Sequence, residues 1–90
     1  MQLFLIQFDI SVPFAEWEEG FVDHQPVRES AGIEDVFHGQ VADSNRIMIG
    51  LKAESQTVLD ELMEAEAANI EATGHVLDST EILVVDVSSD

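Results

Sequence analysis

Three histidines, His24, His38 and His75, are the residues of this sequence best suited to proton transfer or metal binding. Histidine has an ordinary pKa close to neutral pH, and it is a common metal ligand. Zinc sites, however, need three or four convergent ligands, often at short local spacings. Here the first two histidines are 14 positions apart and the last two are 37 positions apart. The spacing gives no sign of a metal site, and we expect none.

His38 is the histidine with the strongest case for catalysis. If it shares a sheet face with Gln7, Gln40 and Met48, it is the only side chain there that titrates near neutral pH. It would then be placed to act as a general base. The alternative, a hydrogen-bonded polar residue at a subunit interface, is the interpretation we favour. For His24, in the last turn of a predicted helix, we expect a structural role, because the helix dipole stabilises its protonated form.

Aromatic residues recur at helical spacing after the first predicted strand. Phe14, Trp17, Phe21 and His24 lie three or four residues apart and so share one face of a helix. Such a stripe usually packs into a core, but it can also wall a pocket between a helix and a sheet. The candidate ligand contacts are therefore Gln7, Trp17, Phe21, His24, His38, Gln40 and Met48.

The charge of the chain excludes several classes of partner. Nineteen acidic residues face three basic ones, for a formal net charge of −16. A nucleic-acid backbone would be repelled, and so would an anionic membrane surface. Adaptation to salty surroundings is the simplest explanation, since salt screens self-repulsion. The alternative is an acidic surface that docks a basic partner.

Length and composition indicate one globular domain over residues 1–90. The apolar fraction, 46%, is ordinary for a folded domain and too high for a disordered chain. The lack of cysteine in the sequence excludes disulfides and thiol nucleophiles. The apolar N-terminal stretch lacks a basic segment and contains Asp9, which is typical of a strand and not of a signal peptide. No apolar run approaches the roughly 20 residues of a membrane span, so we expect a cytoplasmic protein.

Hydrophobic periodicity predicts the order strand, helix, strand, strand, helix, strand. The predicted strands cover residues 3–10, 33–41, 46–53 and 81–87, and residues 88–90 are expected to form a frayed tail. The first helix follows Ser11 and Pro13 and ends or kinks at Pro26. The second is capped by Ser55 and ends at Gly74. This order predicts an α+β fold, a four-stranded antiparallel sheet with two helices on one face.

Alternation along the strands gives the sheet two faces. The face expected under the helices is apolar: Phe4, Ile6, Phe8, Ile10, Phe37, Val41, Ile47, Ile49, Leu51, Leu83, Val85 and Val87. The other face carries His38, Gln40, Arg46 and Lys52 and an apolar patch of Leu3, Leu5, Val36, Met48, Ile82 and Val84. A large exposed apolar patch usually marks an interface, so we predict that two copies pair sheet against sheet. The two basic residues either pair with neighbouring acids or hold an anionic ligand.

Two segments of the chain resemble a known superfamily. They are residues 24–33, with the sequence HQPVRESAGI, and residues 43–47, DSNRI, which precede the second helix. Together with the element order, they resemble the dimeric α+β-barrel superfamily, the ferredoxin-like domains that include the antibiotic-biosynthesis monooxygenases. The resemblance implies a βαββαβ fold, a homodimer paired through its sheets, and a cavity near the sheet and the first helix. Activities in the superfamily include cofactor-free oxygenation, haem degradation, isomerisation and simple ligand binding.

The catalytic residues of the superfamily do not transfer to this chain. The haem-degrading branch uses an asparagine on the first strand, a tryptophan on a later strand and a histidine on the second helix. Here the first strand offers Gln7, the only tryptophan is Trp17 on the first helix, and His75 lies just past the second helix. The resemblance therefore implies the fold and the dimer without the chemistry, and we expect no cofactor.

Three functional hypotheses follow. The first is a homodimer that binds a small, largely apolar molecule, or that has no ligand. The second is a cofactor-independent oxygenase- or isomerase-type enzyme that uses His38. The third is a regulatory module whose acidic surface meets a basic partner.

Overall fold

The computed structural model describes residues 2–87, and the tail expected at residues 88–90 lies outside them. Four strands form the sheet: β1 (Gln2–Asp9), β2 (Glu34–Gln40), β3 (Arg46–Ala53) and β4 (Glu81–Asp86). The helices are α1 (Phe14–Asp23), α2 (Gln25–Ser30), α3 (Gln56–Ala65) and α4 (Ala67–Ala72), and a short 3₁₀ helix covers Leu77–Ser79. Among the described residues, no helix is long and apolar enough to cross a membrane.

The strand order is β2-β3-β1-β4, and every neighbouring pair is antiparallel. It follows that β1 runs parallel to β2 and β3 runs parallel to β4. Parallel strands of one sheet need a crossover connection, commonly helical. The α1–α2 and α3–α4 segments supply these two crossovers. The predicted α+β fold, a ferredoxin-like βαββαβ domain, is confirmed.

Each predicted helix is divided into two. The first helix breaks at His24, close to the end or kink predicted at Pro26, and Pro26 lies in the first turn of α2, where its missing N–H costs nothing. The second helix breaks at Glu66, which no glycine or proline marks. Ser55 occupies the predicted N-cap position of α3 with extended backbone, but its side chain makes no capping hydrogen bond. Gly74 follows α4 with a φ of 101°, the left-handed conformation expected past a helix end.

The core lies between the sheet and the helices. Its centre is Phe4, Ile6 and Phe8 of β1, each at most 2% exposed, with Trp17 of α1 and Leu59 of α3 packed on them. Complete burial of such a side chain contributes about 1.5–3 kcal/mol. The other buried apolar members are Ile10, Ile33, Ile47, Ile49, Leu51 and Ala53.

The predicted facing of β4 is wrong. Val84 pairs with Phe4 and Ile82 pairs with Ile6, so both lie on the helix side of the sheet. Leu83 and Val85 pair with Leu5 and Leu3 and lie on the other face, which we call the open face. The segment from Ile82 to Val85 is apolar without interruption, so alternation gave no basis for choosing its register.

The predicted facing of β2 is wrong as well, because a β-bulge shifts the register between Asp35 and Phe37. One extra residue moves every later side chain to the opposite face. His38 therefore pairs with Ile49 on the helix side, and Phe37 pairs with Gly50 on the open face. The Phe37 ring occupies the place of a side chain at Gly50, where an added Cβ would clash with the ring.

The open face still carries an apolar patch, with altered membership. Leu3, Leu5 and Met48 lie on it as predicted, but Ile82 and Val84 do not. Leu83 is 62% exposed and Phe37 is 43% exposed, and both now belong to the patch. The open-face patch is therefore Leu3, Leu5, Phe37, Met48, Leu83 and Val85.

Candidate functional site

A cavity of about 90 Å³ lies on the helix side of the sheet. Its floor comes from β1 and β3, and α1 to α4 supply the walls. The apolar lining residues are Ile6, Phe8, Trp17, Phe21, Val27, Ile49, Leu51, Leu59, Leu62, Met63 and Ile70. Five polar residues join them: His24, Arg28, Glu66, Thr73 and His75. Mostly apolar walls with a few polar groups are typical of a small-molecule site.

Trp17 is the centre of the aromatic wall. Its ring stacks on Phe21 at 4.9 Å between centroids and contacts Phe8 at 5.6 Å and Phe14 at 5.8 Å. Trp17 is only 2% exposed. The helix face predicted from the sequence therefore packs into the core, and its residues Trp17 and Phe21 also border the cavity.

Arg28 is a buried cation in the wall of the cavity, 8% exposed. Its Nε donates to Asp35 Oδ1 at 2.8 Å and its Nη2 to Asp35 Oδ2 at 2.7 Å. Nη2 also donates to the Phe21 carbonyl oxygen at 2.8 Å. The guanidinium carbon lies 3.8 Å from the centre of the Phe21 ring, a cation–π distance. Arg28 thus ties α2 to β2 and to α1.

His24 lies between the cavity and a shallow outer groove. Its Nδ1 is 2.9 Å from the Gly20 carbonyl oxygen, which can only accept, so Nδ1 carries the proton. In the neutral imidazole, Nε2 is then a hydrogen-bond acceptor. The groove contains Glu16, Glu19 and Asp23, and His24 and Thr73 line both spaces. These two residues therefore form the partition between the cavity and the groove.

His75 is the other histidine of the cavity, 6% exposed. Its ring lies flat on Phe8, with centroids 3.7 Å apart and planes 6° from parallel. Its Nε2 is 2.7 Å from the Thr80 hydroxyl oxygen. Burial lowers the pKa of His75 from 6.5 to about 4, because desolvation penalises the charged form. His75 is therefore neutral at pH 7.

The sequence-predicted contact residues fall into three groups. Trp17, Phe21 and His24 line the cavity. Gln7 and Met48 are paired neighbours on the open face, where Gln7 accepts a hydrogen bond from Arg46 Nε at 3.1 Å.

His38 and Gln40 lie on the helix side, apart from Gln7 and Met48. His38 Nε2 is 2.8 Å from a Glu18 carboxylate oxygen, and the His38 ring borders Phe21 at 5.1 Å. The Gln40 amide donates to the Ser44 carbonyl oxygen at 2.7 Å, within the β2–β3 turn. The expected grouping of His38 with Gln7, Gln40 and Met48 on one face is therefore wrong.

Arg46 forms ion pairs on the open face. Its guanidinium lies 3.0 Å from Asp9 and 3.1 Å from Glu81. Arg46 therefore pairs with neighbouring acids, which is one of the two alternatives expected for it. Among the described residues, no group of three or more His, Asp or Glu side chains could hold a metal ion.

Four residues that line the cavity were not predicted from the sequence as ligand contacts: Arg28, Glu66, Thr73 and His75. A signal for Arg28 was present, because it follows His24 by four residues and so continues the stripe. Pro26 obscured that signal, since a proline normally ends a helix. His75 gave no local signal, because its position depends on a bridge between His75 and Ile10.

Fold and cavity together define a ferredoxin-like α+β domain with an internal space between its sheet and its helices. The chain belongs to the family described as Domain of unknown function (DUF3764), whose model matches residues 1–86. A comparison with functionally curated proteins found no significant match.

Solved structures share the fold at low sequence identity. An uncharacterised NIPSNAP domain protein from Burkholderia xenovorans superposes with a TM-score of 0.64 at 10% identity, covering 99% of this chain and 96% of that one. A protein from Agrobacterium tumefaciens gives 0.65 at 12% identity, covering 99% and 95%. A proposed antibiotic biosynthesis monooxygenase from Nitrosomonas europaea gives 0.55 at 12% identity, covering 97% and 98%. At these identities the similarity shows the fold alone.

Proposed function

We propose that this protein binds a small, largely apolar molecule in the cavity between its sheet and its helices. The observation that carries the proposal is the cavity itself, with an apolar lining interrupted by a few polar groups. Trp17, Phe21 and His24 are the predicted contacts that the proposal keeps. It adds Arg28 and His75 and leaves out Gln7, His38, Gln40 and Met48, none of which borders the cavity.

The cavity limits the size of the ligand. A dry apolar cavity of about 150 Å³ in another protein binds benzene. At about 90 Å³, this space is somewhat smaller. Met63 lines it and is half-buried, and methionine adapts readily to a neighbouring molecule. A molecule of about benzene size therefore fits with a small adjustment of the wall.

Benzene is expected to bind saturably and to shift the indole N–H resonance of Trp17, the only tryptophan in the sequence. The change Leu62→Phe fills the cavity from α3 and is expected to weaken binding at least about tenfold, because overpacking removes the space. Titration with benzene, followed by ¹H–¹⁵N NMR, measures the dissociation constant of the unchanged protein and of the variant.

The matched control is Leu83→Phe, the same substitution on the open face, where the side chain is 62% exposed. It should bind benzene like the unchanged protein. Equal binding by both variants would place the benzene elsewhere and contradict the proposal.

We also propose that two copies pair through their open faces. The apolar open-face patch supports this pairing, since exposed patches of this kind mark interaction sites. Its neighbours Arg46, Asp9 and Glu81 form an ion-pair cluster beside it. Such an arrangement, apolar at the centre and polar at the rim, is typical of protein interfaces.

The change Leu83→Lys is expected to weaken the dimer at least about tenfold, because it places a charge within a desolvated apolar interface. Sedimentation equilibrium at moderate salt measures the dissociation constant. Val22→Lys on α1 is the control, since Val22 is also an exposed apolar residue, at 53%. A monomer in the unchanged protein at high micromolar concentration would contradict the dimer.

The other two hypotheses stay predictions. An enzyme that uses His38 as a base needs that residue beside its substrate, whereas His38 pairs with Glu18 and does not line the cavity. Docking of a basic partner rests on the net charge of −16 alone.

A further inference from the structure

We infer that the cavity selects an uncharged molecule with a hydrogen-bond-accepting oxygen, such as a ketone, and that Arg28 Nη1 is the donor to this oxygen. The cavity would exclude carboxylate anions of the same size. This inference rests on the proposed ligand-binding function, since it assigns a substrate class to the same site.

The hydrogen bonds of Arg28 leave one of its nitrogens without a partner. A guanidinium carries five N–H groups. Nε uses its one hydrogen on Asp35, and Nη2 uses its two on Asp35 and on the Phe21 carbonyl. Among residues 2–87, no hydrogen bond from Nη1 is found, so two donors remain.

Nη1 is nevertheless not sealed inside the protein. Within the described part of the chain, no fully buried side-chain nitrogen or oxygen lacks a hydrogen-bond partner. Nη1 must therefore keep some accessible surface, although Arg28 as a whole is 8% exposed and lines the cavity. Because Arg28 lines the cavity, the proposal assigns these two N–H groups to a molecule that enters this space.

The position of this donor is fixed before any ligand arrives. Asp35 holds one edge of the guanidinium with two hydrogen bonds of 2.8 and 2.7 Å. The Phe21 carbonyl fixes a third N–H, and the Phe21 ring covers the plane at 3.8 Å. A pre-organised donor loses little conformational entropy on binding.

The charges around the cavity favour a ligand with a neutral oxygen over an anionic ligand. The Asp35 carboxylate balances the charge of Arg28. The remaining titratable groups of the cavity are His24, Glu66 and His75, and His75 is neutral at pH 7. Glu66 adds further negative charge, with one carboxylate oxygen accepting from Asn69 at 2.6 Å. A bound carboxylate would therefore be a buried charge without a counterion, which is unfavourable.

Three probes with equal numbers of non-hydrogen atoms test the inference in the unchanged protein: cyclopentanone, methylenecyclopentane and cyclopropanecarboxylate. The first two have nearly the same shape, and only the ketone has an oxygen. A cavity without a donor would bind the alkene about ten- to a hundredfold more tightly, because an unpaired carbonyl loses its hydrogen bonds to water. With Nη1 as donor, we expect the ketone to bind at least as tightly as the alkene. We expect the carboxylate to bind at least about tenfold more weakly than the ketone.

The change Asp35→Asn keeps the shape of the partner and removes its charge. It is expected to raise the affinity for the carboxylate at least about tenfold and to change the affinity for the ketone much less. The Trp17 indole resonance reports binding of every probe. A wild-type preference of tenfold or more for the alkene overturns the inference, as does tight binding of the carboxylate. If no probe binds to the folded protein, the proposed function itself fails, whereas alkene binding alone refutes only the role of Arg28.

Discussion

Replacing Arg28 with methionine is expected to lower the free energy of unfolding by about 3 kcal/mol, since breaking one partner of a buried ion pair leaves the other uncompensated. Asp35, whose side chain is 26% exposed, would lose both of its hydrogen bonds to Arg28. The Phe21 carbonyl would lose its donor as well. In a domain of this size, such a loss lowers Tm by about 15 °C. Urea unfolding at pH 7, followed by the fluorescence of Trp17, measures it.

Arg46→Met is the matched control, because it removes the same side chain from an exposed cluster. The partners of Arg46 are Asp9, 54% exposed, and Glu81, 76% exposed. Exposed ion pairs contribute about 0–1 kcal/mol each, so this variant should lose clearly less stability than Arg28→Met. In the double variant Arg28→Met, Asp35→Val, much of the loss should be recovered, since no unpaired carboxylate is left. Equal losses for the Arg28 and Arg46 variants would contradict the structural role of Arg28.

Arg28 connects stability to the candidate site. The hydrogen bonds that hold it run to α1 and to β2, so it fixes the position of both elements relative to α2. These same bonds occupy Nε and Nη2 and leave Nη1 as the free edge. One side chain thus serves as a structural tie and as the proposed donor to a ligand. A variant that loses ligand selectivity should therefore be checked for loss of stability first.

The sequence predicts the order of elements well, because each element carries its own periodicity. The third strand is predicted over residues 46–53, as observed, since turn residues bound it on one side and a capping serine on the other. The stripe of Phe14, Trp17 and Phe21 identifies the helix face that packs on the sheet. These signals are local, so tertiary structure did not override them. The assignment of residues 1–90 to one domain stays a prediction.

The residues that face the helices were harder to predict in the edge strands β2 and β4, because the register of these strands depends on contacts distant in sequence. Nothing in the sequence around Val36 marks the bulge, yet this bulge moves His38 from the open face to the helix side. In β4, apolar residues occupy both faces, so only pairing with β1 decides between Ile82 and Leu83. A period-2 pattern fails wherever one residue is inserted or where both faces are apolar.

The same reasoning explains which parts of the candidate site were predictable. Trp17, Phe21 and His24 belong to one helical stripe, so they were found together. Arg28 continues that stripe beyond Pro26, and His75 belongs to the C-terminal half of the chain, so neither was predicted as a cavity residue. A cavity between two crossovers is assembled from segments far apart in sequence. Local patterns therefore identify one wall of it and miss the opposite wall.

Acidification is expected to destabilise the protein through His75 by about 2 kcal/mol at pH 5 and about 3 kcal/mol at pH 4. Burial lowers the pKa of His75 from 6.5 to about 4 in the folded protein. Between these two pH values the unfolded chain binds a proton that the folded chain does not, so stability falls as the pH falls. The effect is absent above about pH 7 and reaches its full size below about pH 4. Urea unfolding at half-unit steps from pH 7.5 to pH 4 measures this slope.

The variant His75→Gln isolates this effect from the titration of the many carboxylates. Glutamine keeps a polar group near Thr80 and cannot take up the proton, so the variant should lack this part of the slope. The difference in unfolding free energy between the two proteins should change by about 3 kcal/mol from pH 7.5 to pH 4, whatever its value at pH 7.5. A histidine resonance that titrates near pH 4 in the folded protein, and is missing from the variant, would identify the group directly. If the difference stays constant with pH, His75 takes up its proton as readily in the folded chain as in the unfolded one. His75 would then be hydrated despite its stacking on Phe8, and the desolvation on which this prediction rests would be refuted.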